Sequence, residues 1–152
     1  AQGALALHQL SMSHLPSLRL FLLYGTAASA VATGPIGPAS AGAVLDSLAL
    51  LRRQMGLPAV CVQWGAWAGS NHGHEAEQLG FLPVTPALAD TVLACLLRRD
   101  PASLPAVVCC LPIDHALCSR SAPRRLLDVD LSRLLTCEAE APLEEGGEED
   151  LT

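Results

Sequence analysis

Few side chains in this 152-residue chain are of a type and at a spacing that could do chemistry. His72-Gly73-His74-Glu75 alternates donors as a metal cluster would. Alternate residues on a glycine-containing loop seldom fix a coordination geometry, and no third ligand set follows, so a solvated lid is the preferred reading. Asp114-His115 offers half of a catalytic dyad. No Ser in a nucleophile-elbow context accompanies it, and an end-of-strand role is preferred. The six cysteines, at 61, 95, 109, 110, 118 and 137, lack the paired short spacings of a zinc site. Cys61, Cys109 and Cys110 lie inside apolar runs and read as small core residues in a reducing compartment. No metal is expected. The chain has one Tyr, Tyr24, and no Lys; all nine basic residues are Arg.

The elements that would position such groups centre on Leu45 to Trp67. This stretch reads as the end of an amphipathic helix, a stop at Gly56 and Pro58, a buried strand over Ala59–Trp64, and a Trp64-Gly65-Ala66-Trp67 loop. An open α/β sheet places its ligand at the carboxyl ends of its strands, where this loop lies. Upstream, Gln2 to Ser11 spaces Ala4, Leu7 and Leu10 as a helix, and Leu18 to Tyr24 is an almost unbroken apolar run suited to a buried strand. Gly25 to Gly37 reads as a small-residue loop or turn. From Ala39 a helix carries Val44, Leu48, Leu51 and Met55 on one stripe, with Asp46, Arg53 and Gln54 off it. Gly65 to Val84 is a long irregular segment with a short helix around Glu75 to Leu79. Thr85-Pro86 caps a further helix through Leu88, Val92, Cys95 and Leu96, with Arg98 and Arg99 at its negative end; Ala106 to Leu111 is a third buried strand.

That order implies an α/β fold with parallel strands, the carboxyl-terminal half of a doubly wound, Rossmann-like sheet. Three strands do not finish such a sheet, so the chain reads as part of something longer, as does its start without Met. The first strand is expected to keep a bare inner edge, which favours association. Apolar residues make up 51% of the chain. Glu138 to Asp150 holds seven acidic and no basic residues, while residues 1–137 carry nine Arg against eight acids. A near-neutral body beside an acidic tail offers no stripe for phosphate backbones, so nucleic-acid binding is not expected. The longest apolar run, Leu20 to Ala32, is too short to span a bilayer, and no secretory signal is visible. The expected division is residues 1–118 as the α/β unit, 119–137 as a connecting segment, and 138–152 as an acidic tail or linker.

Leu45-Asp46-Ser47-Leu48, Arg52-Arg53, Gly56-Leu57-Pro58-Ala59 and Gln63-Trp64-Gly65-Ala66-Trp67, in that order, resemble the carboxyl half of the ketoreductase domain of type I polyketide synthases and animal fatty acid synthases. Gly3-Ala4, Leu7-His8, Leu82 to Pro86 and Ile113-Asp114 extend the similarity over roughly residues 1 to 115. The resemblance implies a short-chain dehydrogenase fold in which NADPH delivers hydride, a Tyr donates a proton to the β-ketone oxygen, a Lys lowers the Tyr pKa, a Ser positions the carbonyl and an Asn completes the relay. Counted back from Leu45-Asp46, the Tyr falls on Pro38, the Asn on Gly42 and the Ser on Gly25. The Lys would precede Ala1. A phenol that unaided titrates near pH 10 must be tuned to act as an acid, and Pro38, Gly42 and Gly25 offer nothing to tune. Tyr24 sits at a strand end rather than on the following helix, so it is not expected to stand in.

The cofactor site implied by the resemblance is equally partial. No G-x-G-x-x-G turn exists, and Gly34-Pro35-Ile36-Gly37 lacks the spacing. What remains is Gly65-Ala66-Trp67, which by resemblance would lie beside the nicotinamide ring. The alternative is that both Trp residues pack onto the lid. Asp46-Ser47-Leu48 also matches the tripeptide on which acyl carrier proteins bear phosphopantetheine at Ser47. Val44 stands where that motif needs a Gly, however, and a carrier protein would not contain Gly56 to Trp67. The expectation is a catalytically degenerate ketoreductase-like segment of an intracellular, cytoplasmic megasynthase. Its partners would be the other synthase domains, including an acyl carrier protein. The alternative is part of a working NADPH-dependent 3-oxoacyl-thioester reductase completed by upstream sequence.

Overall fold

Ala59–Trp64 forms strand β2, and all six of its residues are buried. A strand can hide both of its faces only if layers pack on each side of the sheet. In the computed structural model, which describes residues 1–28, 36–70, 73–78 and 80–114, β2 lies between two parallel neighbours, β1 (Phe21–Thr26) and β3 (Val107–Cys110). The register runs from Phe21 opposite Ala59 to Thr26 opposite Trp64, and from Cys61 opposite Val107 to Trp64 opposite Cys110. The expected parallel α/β fold is therefore observed, in spatial order β1-β2-β3.

The period of two along the strands sorts the core into two clusters. Val60, Val62, Trp64 and Val108 pack with Ala89, Val92 and Leu96 of α4 (Pro86–Arg98) on one face. On the other, Leu23, Ala59 and Cys61 pack with Leu48 and Ala49 of α2 (Ile36–Gln54), and Ala4 of α1 (Gln2–His14) packs beside them. Helices thus cover both faces. A short helix α3 (Gly73–Gln78) and a 3-10 turn (Pro101–Ser103) complete the order.

Two helix boundaries follow from local chemistry. Thr85 Oγ1 accepts from Leu88 N at 3.2 Å with Pro86 at the first helical position, as the Thr-Pro pair implies. At the end of α2, Gly56 adopts φ +74, Leu57 N donates to Arg52 O at 2.8 Å, and Gly56 N donates to Arg53 O at 3.0 Å. This is a Schellman stop, which needs a residue without a Cβ penalty.

Three expectations are corrected. β1 begins at Phe21 and runs through Gly25 and Thr26, which the sequence assigned to a loop. Leu7 and Leu10 of α1 are 60% and 55% exposed, and its inward face carries Ala4, His8 and Ser11 instead. On α2 only Leu48 of the apolar stripe is buried, while Val44, Leu51 and Met55 stay exposed and Arg52 turns inward. The reason is the same for both helices. Arg52, 2% exposed, donates through Nη1 to His8 Nδ1 at 2.9 Å and to Ser11 Oγ at 2.8 Å, and its guanidinium stacks over Phe21 at 4.1 Å. A partnered guanidinium with an apolar stem fills the α1–α2 seam, and the leucines face outward.

Candidate functional site

The positions singled out by resemblance lie at the carboxyl ends of β1 and β2 and on α2. Pro38 is exposed on the first turn of α2, and Gly42 lies one turn on and is buried. Gly25 stands at the end of β1, opposite Gln63. A side chain begun at Gly25 would put its Cβ 2.9 Å from Cys61 Sγ, 3.5 Å from Val62 O and 3.7 Å from Asp46 Oδ1. The first of these is closer than real Cβ atoms come. The room is filled by the thiol of Cys61, beside the Asp46 carboxylate. Asp46 in turn accepts from Gln63 Nε2 at 2.7 Å.

Burial and the neighbouring Asp46 carboxylate drive the Cys61 thiol far above its ordinary pKa. Burial raises Cys109 to about 11, with Cys110 and Asp46 adding to the shift. Both thiols are therefore poor nucleophiles at neutral pH. The Cys61–Asp46–Gln63 cluster carries no signature in the sequence, because its members are spread over a helix and a strand. The one usable signal was that a polar Gln sits in an otherwise apolar strand.

Tyr24 points to the opposite face of the sheet from Gly25. Its ring lies 5.7 Å from that of Trp64, which lies 5.3 Å from Trp67, so the three rings form a tilted row. Tyr24 is 53% exposed. Since Trp64 belongs to the α4-side cluster, Tyr24 is on the wrong face to act beside Pro38 and Gly42 of α2.

Gly65-Ala66-Trp67 leaves the end of β2 and is tied down on both sides. Gly65 N donates to Cys110 O at 2.9 Å, Val84 N to Ala66 O at 2.8 Å, and Ala68 N to Val84 O at 2.9 Å. A Cβ at Gly65 would meet Leu111 Cδ1 at 3.0 Å. Its bareness thus serves close packing of protein against protein. Trp67 is 39% exposed and bridges to Val84, while Trp64 Nε1 is buried with no hydrogen-bond partner among the described residues. Both tryptophans therefore pack at the edge of the 80–84 segment, which also joins the end of β3 through Leu82 N to Pro112 O and Asp114 N to Gly80 O, each 2.8 Å.

Ser47 lies in the middle of α2, its hydroxyl donating to Ala43 O at 2.8 Å, and β1 precedes that helix. His72, His115, Cys118, Cys137 and the acidic tail fall outside the described residues, as do the side chains of His74 and Glu75. Among the described residues no group of three His, Cys, Asp or Glu could hold a metal ion, and no helix is long and apolar enough to cross a membrane.

Comparison with known proteins gives this geometry a family. Residues 1–69 match the KR domain family. The chain is 44% identical over 71 residues to the spectinabilin polyketide synthase system protein NorB of Streptomyces orinoci, covering 46% of this chain and 3% of that protein. It is 35% identical over 116 residues to polyketide synthase GfsB of Streptomyces halstedii, covering 71% of this chain and 2% of that protein. Among solved structures, an A-type ketoreductase from a modular polyketide synthase superposes with TM-score 0.67 at 28% identity, over 86% of this chain and 27% of that one. The first ketoreductase of the tylosin polyketide synthase gives 0.66 at 29%, over 78% and 26%. The chain thus spans a few hundredths of the length of these curated relatives and about a quarter of these solved domains. The match to residues 1–69 includes Asp46-Ser47-Leu48 and displaces the carrier reading of Ser47. Family match, relatives and solved structures agree, and the chain is a ketoreductase-like segment of the polyketide synthase family.

Proposed function

We propose that this segment is catalytically degenerate and serves a structural role, holding the ketoreductase fold within a polyketide megasynthase while leaving the β-keto group unreduced. One observation carries the reading: the three positions that the family resemblance assigns to acid, relay and carbonyl contact hold Pro38, Gly42 and Gly25. None has a side-chain proton to give. The nearest phenol, Tyr24, faces away from α2.

The resemblance implies NADPH, which when bound supplies hydride. The residues of this chain fit it poorly. The backbone groups at Gly65 and Ala66 that meet Cys110 and Val84 are already spent within the protein, and of the three residues Trp67 is the exposed one. This sequence has no G-x-G-x-x-G, the pattern that would receive the pyrophosphate. In this reading the α/β unit of residues 1–118 is followed by a connector over 119–137 and an acidic segment over 138–152. Its neighbours are other domains of an intracellular synthase, an acyl carrier protein among them.

Titrating NADPH into the chain while following the fluorescence of Trp64 and Trp67 tests the cofactor half of the proposal. The expected outcome is no saturable quenching below about 1 mM, the weak end of ordinary enzyme affinities. Saturation in the micromolar range would overturn it.

A further inference from the structure

The opposite end of the sheet carries a feature that reduction chemistry does not use. Residues 1–114 hold five arginines, no lysine and six acidic residues. Arg52 is buried. The other four, Arg19, Arg53, Arg98 and Arg99, all line one groove of about 800 Å³, together with Pro58 and Asp100. Arg19 precedes β1, Pro58 precedes β2, and Arg98 to Asp100 lie ahead of β3, so the groove sits at the amino-terminal ends of the strands. Gly65 to Trp67 lie at the other ends.

The charge in the groove is not cancelled locally. Arg53 donates to the carbonyl oxygens of Pro101, Ala102 and Leu104, the last two at 2.7 and 2.9 Å, so its cation is fixed by neutral partners. No carboxylate is paired with Arg19, Arg98 or Arg99 among the described residues. Asp100 supplies one negative charge, and its carboxylate caps the 3-10 turn by accepting from Ala102 N at 3.2 Å. The carboxyl ends of α2 and α4 add roughly half a negative charge each. Four guanidiniums against these leave a surplus of about two positive charges. Such a surface recruits carboxylates, and guanidinium binds them in a two-pronged geometry.

We propose that this groove docks the chain's own acidic segment, Glu138 to Asp150. That segment holds seven carboxylates and no cation, the complement of a groove holding four cations. The 23 residues between Asp114 and Glu138 reach at most roughly 80 Å, far more than a domain of this size requires. Tethering gives the segment an effective concentration of millimolar order, enough to populate an otherwise weak electrostatic contact. Arg120, Arg124, Arg125 and Arg133 stand nearer the acidic segment in sequence, so the test must read the groove itself.

Phenylglyoxal modification of Arg98 and Arg99, followed by mass spectrometry on the full 152-residue chain, does so. The control is the variant E138Q/E140Q/E144Q/E145Q/E148Q/E149Q/D150N, which leaves the folded unit untouched. Arg98 and Arg99 are expected to react at least about threefold more slowly in the native chain at low salt, with the protection lost in the variant and in about 1 M NaCl, where charges are screened beyond about 3 Å. Equal rates in the two chains would overturn the proposal. So would protection that arises only when a separate acidic protein, such as a purified acyl carrier protein, is added, since the groove would then serve a partner in trans.

Discussion

Gly25 is held bare by its neighbours. Its φ lies outside the left-handed region, so no backbone demand explains the glycine; the thiol of Cys61, 2.9 Å from where a Cβ would be, does. A hydroxymethyl group introduced there meets a packed sulfur that lies beside the Asp46 carboxylate. Overpacking of this kind costs about 1–3 kcal/mol. Gly25→Ser alone is therefore expected to lower the melting temperature by on the order of 5 °C or more. In a Cys61→Ala background the room exists, and the same substitution is expected to cost less than about 0.5 kcal/mol, a coupling that a double-mutant cycle reads directly. Equal costs in the two backgrounds would show that Cys61 is not what excludes a side chain.

Arg52 decides how α1 and α2 pack, and it is why their apolar stripes mislead. The period of Val44, Leu48, Leu51 and Met55 marks a helix correctly, but it points to the wrong face. Arg52 finds His8 and Ser11 at separations of 44 and 41 residues. Asp46 finds Gln63 at a separation of 17. No local pattern announces partners so distant, and a buried polar residue with partners displaces leucine from a seam. By contrast, the boundaries set by single residues were legible: Thr85-Pro86, Gly56, and the unbroken run of β2 follow from capping, positive φ and two-sided burial. The same holds for the site. The register from Leu45-Asp46 located Gly25, Pro38 and Gly42 by resemblance, whereas the closing of Gly25 by Cys61 needed the sheet to bring residues 36 apart together. Burial also lowers the Arg52 pKa, the expected effect of taking a cation out of water. Arg52→Met, which takes the donor away from His8 Nδ1 and Ser11 Oγ while Ser11 keeps its bond to His8 O, is expected to destabilise the chain by about 1–3 kcal/mol in urea. Replacing all three by apolar residues, His8→Leu, Ser11→Ala and Arg52→Met, should recover most of that loss. An unchanged urea midpoint for Arg52→Met would remove the seam from the account.

Taken as a whole molecule, the described residues form a sheet with helices on both faces and an open edge on each side. β1 and β3 each pair with β2 alone among them, and Leu5, Leu7, Leu10 and Met12 of α1, Leu51 of α2 and Met55 just past its end stand in solvent. An unpaired edge beside apolar helix faces favours association. Sedimentation velocity of the chain at concentrations on the order of 10 μM is expected to show dimers or larger species. A single monomeric boundary would mean that the exposed leucines are compatible with an isolated unit. The central claim, that the segment keeps the fold and not the chemistry, is tested most directly by reductase turnover in the full-length parent synthase with a 3-oxoacyl thioester and NADPH. The account predicts that NADPH oxidation is unchanged when this segment is disrupted. Oxidation that survives only while the segment is intact would contradict it.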